Sequence, residues 1–180
     1  MASLNIGKKK IVEFLKNKYP KGTKALDIGA CDGKWWKLLG DHFDMDAIEV
    51  FEPNVEKHKL KEKYKTIFIE NVTDFVDNHK DIHYDVIIMG DVLEHLSVED
   101  AQKVVTSLYN CCDEFVIAVP YKSKQRAIYG NKYEIHLQPD LTDEIFHQRY
   151  PGFERFYFGR VFGFFGMGYA YYIKDRKTAK

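Results

Sequence analysis

The segment Leu26-Asp27-Ile28-Gly29-Ala30-Cys31-Asp32-Gly33 carries more chemical information than any other stretch of the chain. Gly29 and Gly33 permit a tight strand-to-helix turn with close backbone approach to a ligand, and Ala30 and Cys31 lie between them. The spacing is not the dinucleotide fingerprint GxGxxG, because Cys31 stands where a second glycine would let the backbone reach a pyrophosphate. Asp27 at the mouth of this loop repels a diphosphate but accepts hydrogen bonds from an ammonium, directly or through water. The residues therefore suit a nucleoside carrying positive charge, with a plain structural turn as the competing reading. About twenty residues past such a loop, an acid at a strand end takes both hydroxyls of a ribose. Glu52 is preferred for that position; Glu49 competes, but it is expected inside the strand with its side chain toward a helix layer. Glu70-Asn71-Val72 offers a polar side chain to an adenine edge, against the alternative of a solvated loop.

A second polar segment, Asn131-Lys132-Tyr133-Glu134-Ile135-His136-Leu137, follows the fifth strand-like run. His136 has the unperturbed pKa of a general base near neutrality, and Tyr133 and Glu134 accompany it as catalytic candidates. A loop histidine bonded to its own loop is the bland alternative. CxxC and HExxH are both absent, and no metal is expected.

Positioning these residues requires a particular framework. Ile11, Phe14 and Leu15 at helical spacing, closed by Tyr19-Pro20, predict a helix within residues 1–20. Strand-like runs at 24–28, 47–51, 66–69, 84–89 and 115–119 alternate with helical patterns at 34–39, 55–63, 72–78 and 98–110. Alternation of this kind predicts an α/β doubly wound parallel sheet, whose ligands bind outside the carboxyl ends of the strands. A polar loop (121–140) and a helix (142–150) follow. Residues 153–173 then alternate aromatics with glycine and read as an antiparallel hairpin closing the sheet. Of Trp35 and Trp36, one is expected in the core and the other, about 100° around the helix, elsewhere.

The 180 residues suit one domain: helix 1–20, cofactor-binding core 21–120, substrate-side loop and helix 121–152, and hairpin 153–173. Apolar residues make up 45% and charged ones 30%, without an apolar run of the ~20 residues a membrane span needs. The 27 basic and 27 acidic residues cancel, which argues against a nucleic-acid partner. Residues 1–24 nevertheless carry seven Lys against the single Glu13, and the Lys8-Lys9-Lys10 run reads as a solvated helix face. Three cysteines, two of them adjacent, argue for reduced thiols. With no apolar signal segment, a cytoplasmic protein is expected. Twelve of the chain's Phe, Tyr and Trp residues fall between Phe146 and Tyr172, more than one sheet face buries, and a homodimer contact there is the expected use.

Asp27 to Gly33, Glu52-Pro53-Asn54, Glu70-Asn71 and Tyr84-Asp85-Val86-Ile87-Ile88-Met89-Gly90-Asp91-Val92-Leu93-Glu94-His95-Leu96 resemble, in order and spacing, the successive motifs of class I S-adenosylmethionine-dependent methyltransferases. The match spans about residues 20–120. The resemblance implies a seven-stranded, mostly parallel Rossmann-like sheet with an antiparallel last strand, and S-adenosyl-L-methionine as cofactor. It also implies roles: Asp27 near the methionine amino group, Gly29 to Gly33 around the cofactor, Glu52 on the ribose, Asn71 and Val72 at the adenine, and Gly90, Asp91 and His95 along the methionine. Family members commonly have glycine where Cys31 stands. Gly90-Asp91-Val92-Leu93 replaces the Asn/Asp-Pro-Pro-aromatic tetrad of enzymes that methylate exocyclic base nitrogens. The Leu93-Glu94-His95-Leu96 version is similar to the branch (type 11/12-like) acting mostly on small molecules at oxygen, nitrogen or carbon. A Tyr-Glu-x-His segment like 133–136 recurs there over the active site. The rivals are a methyltransferase of RNA or protein, reached through the Lys-rich helix, and a non-catalytic cofactor-binding module. A nicotinamide dehydrogenase is disfavoured by Asp27 and Cys31.

Overall fold

Parallel neighbours in a sheet need a crossover, and the chain supplies a helix after each of its first four strands. The computed structural model describes residues 5–128, 130–160 and 167–176. Helix α1 (Lys8–Lys18) precedes β1 (Thr23–Ile28), α2 (Lys34–Leu39), β2 (Phe43–Ile48), α3 (Glu52–Lys57), β3 (Ile67–Phe68), α4 (Val72–Asn78), β4 (Tyr84–Gly90), α5 (Val98–Asn110) and β5 (Cys112–Pro120). Then come α6 (Asp143–Arg149), β6 (Glu154–Arg160) and β7 (Gly168–Asp175). The seven strands form one sheet in the order β3-β2-β1-β4-β5-β7-β6. The first five strands are parallel; β7 runs antiparallel to both β5 and β6.

Alternation along the central strands feeds two cores. Ile87 and Met89 of β4 face α4, α5 and α6, where Phe75, Val104, Leu108 and Phe146 are buried. Val86 and Ile88 point the other way, toward α1, α2 and α3, with Ile11, Leu15, Trp35 and Val55. As expected of the tryptophan pair, Trp35 is buried and Trp36 only partly so.

Several sequence readings need correction. Strand β2 is Phe43–Ile48, three to four residues earlier than the apolar run suggested. Phe43-Asp44-Met45-Asp46 is a half-buried strand: Phe43 and Met45 enter the core, while Asp44 pairs with Lys65 and Asp46 accepts from Tyr84 Oη. Pro53 sits in the first turn of α3, where a missing N–H costs nothing. Lys8 is not on a solvated face; it is 3% exposed, with its ammonium 4.3 Å from the Trp35 ring centre. The aromatic hairpin is present, but β7 lies inside the sheet, so Tyr169, Tyr171 and Tyr172 are fully buried. Among the described residues of this hairpin, the exposed rings are Phe156 and Phe158 of the edge strand β6. Phe162, Phe164 and Phe165 of the expected hairpin lie outside the described residues. No helix among the described residues is long and apolar enough to cross a membrane.

Candidate functional site

The sheet's order turns back between β1 and β4, and a crevice must open outside their carboxyl ends. A cavity of about 450 Å³ lies there. Its floor is the loop after β1. Gly29, Cys31 and Gly33 all adopt positive φ, 76°, 48° and 74°. Glycine accepts this backbone freely; Cys31 is held in it by its N–H, which donates to Glu49 Oε2 at 2.7 Å. Gly29 has no room for a side chain, since a Cβ there would stand 2.4 Å from Val92 Cγ2.

Because β2 ends at Ile48, Glu49 is the residue that leaves the strand at the cavity. It is 4% exposed, and its second oxygen accepts from the Phe51 N–H at 2.8 Å. Burial raises its carboxyl above the usual range, opposed by these backbone N–H groups. Glu52, the residue preferred from sequence, is exposed in the first turn of α3 and off the cavity wall. Asp27 is off the wall as well. Its side chain points beneath the loop, fully buried, and accepts from Tyr64 Oη at 2.5 Å. Burial pushes its carboxyl up to about 7, and desolvation pushes the Lys8 ammonium down to about 8. Gly33, capping α2, is likewise not on the wall.

Gly29, Ala30, Cys31, Asn71, Val72, Gly90, Asp91 and His95 do line the cavity. Asn71 also caps α4, accepting from the Thr73 N–H at 3.2 Å. Asp91 has φ 57° and accepts from Tyr169 Oη at 2.8 Å. The loop of residues 121–140 closes the far wall with Tyr133, Glu134 and His136. It is stitched to the turn after β4: the Glu94 carbonyl accepts from the N–H groups of Leu137 and Gln138, and Gln138 Nε2 donates to the Leu93 carbonyl at 3.0 Å. His136, the general-base candidate, stands on this wall with most of its ring covered. Its Nε2 lies 4.0 Å from Glu94 Oε1 and its side chain is 6% exposed. His95 Nδ1 meets the Ile135 carbonyl, and burial together with the neighbouring His136 holds its pKa down. Sequence reasoning gave no role to Glu94, Phe51, Trp35 or Lys34, all of which reach the wall. Glu94 alone carried a signal, its place in the Asp91-to-Leu96 motif.

A sheet of this order, with a glycine loop after β1 and an acid at the end of β2, defines the Rossmann-like methyltransferase fold. Residues 7–137 match a family model described as a methyltransferase domain, and the chain belongs to that family: it is an S-adenosylmethionine-dependent methyltransferase. No curated relative matches it in sequence. Among solved structures it is similar to a magnesium protoporphyrin IX methyltransferase from Synechocystis PCC 6803 with bound SAM, at 16% identity and TM-score 0.64, covering 93% of this chain and 77% of that one. It is similar also to an N-methyltransferase from Bradyrhizobium japonicum WM9 (12% identity, TM-score 0.61, 92% of this chain and 93% of that one). A SAM-dependent methyltransferase from Aquifex aeolicus gives 16% identity and TM-score 0.61, over 93% and 89% of the two chains. At these identities the likeness is one of fold.

Proposed function

We propose that the cavity holds S-adenosylmethionine and that the chain methylates an oxygen, nitrogen or carbon of a small-molecule acceptor. The observation that carries this reading is the wall's charge: among the described residues, seven Asp and Glu and two Lys line it. Such a wall repels a diphosphate and favours a ligand bearing a sulfonium and an ammonium. The residues fit the cofactor. Glu49, fixed by two backbone N–H groups, keeps lone pairs for the ribose hydroxyls; Asn71, Val72 and Phe51 surround the adenine; Gly29 to Cys31 allow close backbone approach; Gly90, Asp91 and His95 flank the methionine end. When bound, the sulfonium supplies an activated methyl group, the acceptor's electron pair forms the new bond, the C–S pair returns to sulfur and the acceptor's proton leaves to solvent. The chain's task is then alignment and exclusion of water, with the acceptor at the wall of Tyr133, Glu134 and His136. The Bradyrhizobium protein is an N-methyltransferase and the Synechocystis protein methylates a porphyrin, and both are consistent with a small acceptor here.

Calorimetry tests the cofactor assignment. S-adenosylmethionine and S-adenosylhomocysteine are expected to bind one per chain and NAD not at all; failure of both sulfur nucleosides sinks the reading. A panel of small acceptors with labelled methyl donor then separates this function from methylation of RNA or protein. The three cysteines are free thiols, in keeping with a cytoplasmic setting. The same proposal includes a homodimer through the aromatic C-terminal region, because β6 presents Phe156 and Phe158 at a sheet edge. Light scattering is expected to give twice the chain mass, and Phe158→Asp to return it to one; a wild-type monomer at high concentration removes the dimer.

A further inference from the structure

Three side chains on the cavity wall converge. Glu94 and His95 come from the turn after β4, and His136 from the loop folded over it. One ligand atom of each lies within 4.8 Å of the others. His95 Nδ1 is 3.1 Å from the Ile135 carbonyl, and His136 Nδ1 is 2.9 Å from the Ser123 carbonyl. A carbonyl oxygen only accepts, so each Nδ1 carries a proton and Nε2 is the nitrogen left to act as a ligand. Opposite them Glu94 is 1% exposed, and its Oε2 is buried without a hydrogen-bond partner. The two rings meet edge to face at 4.7 Å. Two imidazoles and a buried carboxyl group with an unpartnered oxygen form a compact donor set that a single cation would join. Histidine held by a backbone carbonyl at the far nitrogen is the usual support of a metal-binding imidazole.

We propose that Glu94, His95 and His136 bind one first-row divalent cation, in a two-histidine, one-carboxylate set with positions open to the cavity. Imidazole and carboxylate together suit Zn²⁺ and its neighbours rather than Ca²⁺ or Mg²⁺. Closing the donors to the ~2.0–2.2 Å of zinc ligands takes side-chain shifts of about 1 Å. The cation makes Nε2 of His136 a ligand instead of the general base expected from sequence. Its open positions fit an oxygen-bearing acceptor, whose hydroxyl loses its proton to solvent more readily once coordinated. That last step rests on the methyltransferase reading; cation binding does not.

The experiment uses the untagged chain, stripped with a chelator and titrated with Co²⁺, whose ligand-field absorption reports coordination. One Co²⁺ per chain, displaced by Zn²⁺, is expected. Glu94→Gln keeps the shape of the side chain and the backbone carbonyl that anchors the loop, and His136→Ala removes a ring; each should weaken Co²⁺ binding on the order of 100-fold or more, with circular dichroism unchanged. S-adenosylhomocysteine binding is measured on the same samples. No Co²⁺ spectrum at millimolar metal, with the nucleoside still bound, overturns the cation site and leaves the methyltransferase reading intact. A wild-type spectrum that both variants retain overturns the assignment of ligands. Co²⁺ binding with no nucleoside binding supports the site while the cofactor reading falls.

Discussion

Glu49→Gln is expected to weaken S-adenosylhomocysteine binding about 100-fold or more, while Glu52→Gln stays within about threefold of wild type. The difference follows from where β2 ends. A carboxylate accepting from two ribose hydroxyls contributes about 1.5–3 kcal/mol per charge-assisted bond, and tenfold in affinity is about 1.4 kcal/mol. Glu49 also holds its own loop, with Oε2 on the Cys31 N–H and Oε1 on the Phe51 N–H. An amide cannot replace it. Whichever way the glutamine side chain turned, its NH₂ would face a backbone N–H, leaving a buried donor unmatched at about 1–3 kcal/mol. Cys31 then loses the contact that keeps it at φ 48°. The variant should therefore also melt lower, by about 2–4 °C for each kcal/mol lost. Glu52→Gln removes an exposed charge from the first turn of α3, a helix-dipole effect of about 0.3–1 kcal/mol. Calorimetry and thermal melts of both variants check this, and equal losses in the two would return the ribose to Glu52.

What the sequence made legible were features fixed by neighbours a few residues away. Helices α2, α4 and α5 have the predicted bounds because their ends are local: Gly40 closes the first, and the side chains of Asn71 and Ser97 cap the others. The parallel order followed from alternation, and the cavity from that order. What the sequence hid depends on distant partners. The run at 47–51 left Asp44 and Asp46 outside the strand, yet Lys65 pairs with one and Tyr84 donates to the other within it, and that shift puts Glu49 rather than Glu52 on the cavity wall. Lys8 reads as one of a solvated run, but its ammonium lies over Trp35 in the field of Asp91 and Asp27. The Glu94 carbonyl takes the N–H groups of Leu137 and Gln138, some forty positions on, a contact that no local pattern announces.

Asp27→Asn is expected to flatten the fall in stability that the wild-type chain shows between about pH 4 and 7. Asp27 is fully buried beside Tyr64, and its carboxyl rises from 3.8 to about 7, chiefly by desolvation, with the Tyr64 hydrogen bond and the Lys8 charge opposing. The folded chain therefore keeps a proton that the unfolded chain has already released in this window. Stability falls as pH climbs wherever the folded state binds more protons, so the contribution is full below the unfolded pKa and is lost through the folded one. At about 1.36 kcal/mol per pH unit, the span is on the order of 4 kcal/mol. The asparagine side chain would accept from Tyr64 as before and would not ionise, so the difference between the two chains isolates this carboxyl from Glu49 and Glu94, which also sit above their usual range. Lys8 acts in a separate window with the opposite sign. Its ammonium is lowered to about 8, so the folded chain releases a proton before the unfolded one, and stability recovers as pH passes from about 8 to 10.5. Denaturant melts of both chains across pH 4 to 8 supply the test. Parallel profiles would place Asp27 in contact with solvent or cofactor, in line with its sequence-expected role at the methionine amino group. Diverging profiles, with S-adenosylhomocysteine affinity in Asp27→Asn within about threefold of wild type, would make it the buried support of the loop that the cofactor rests on.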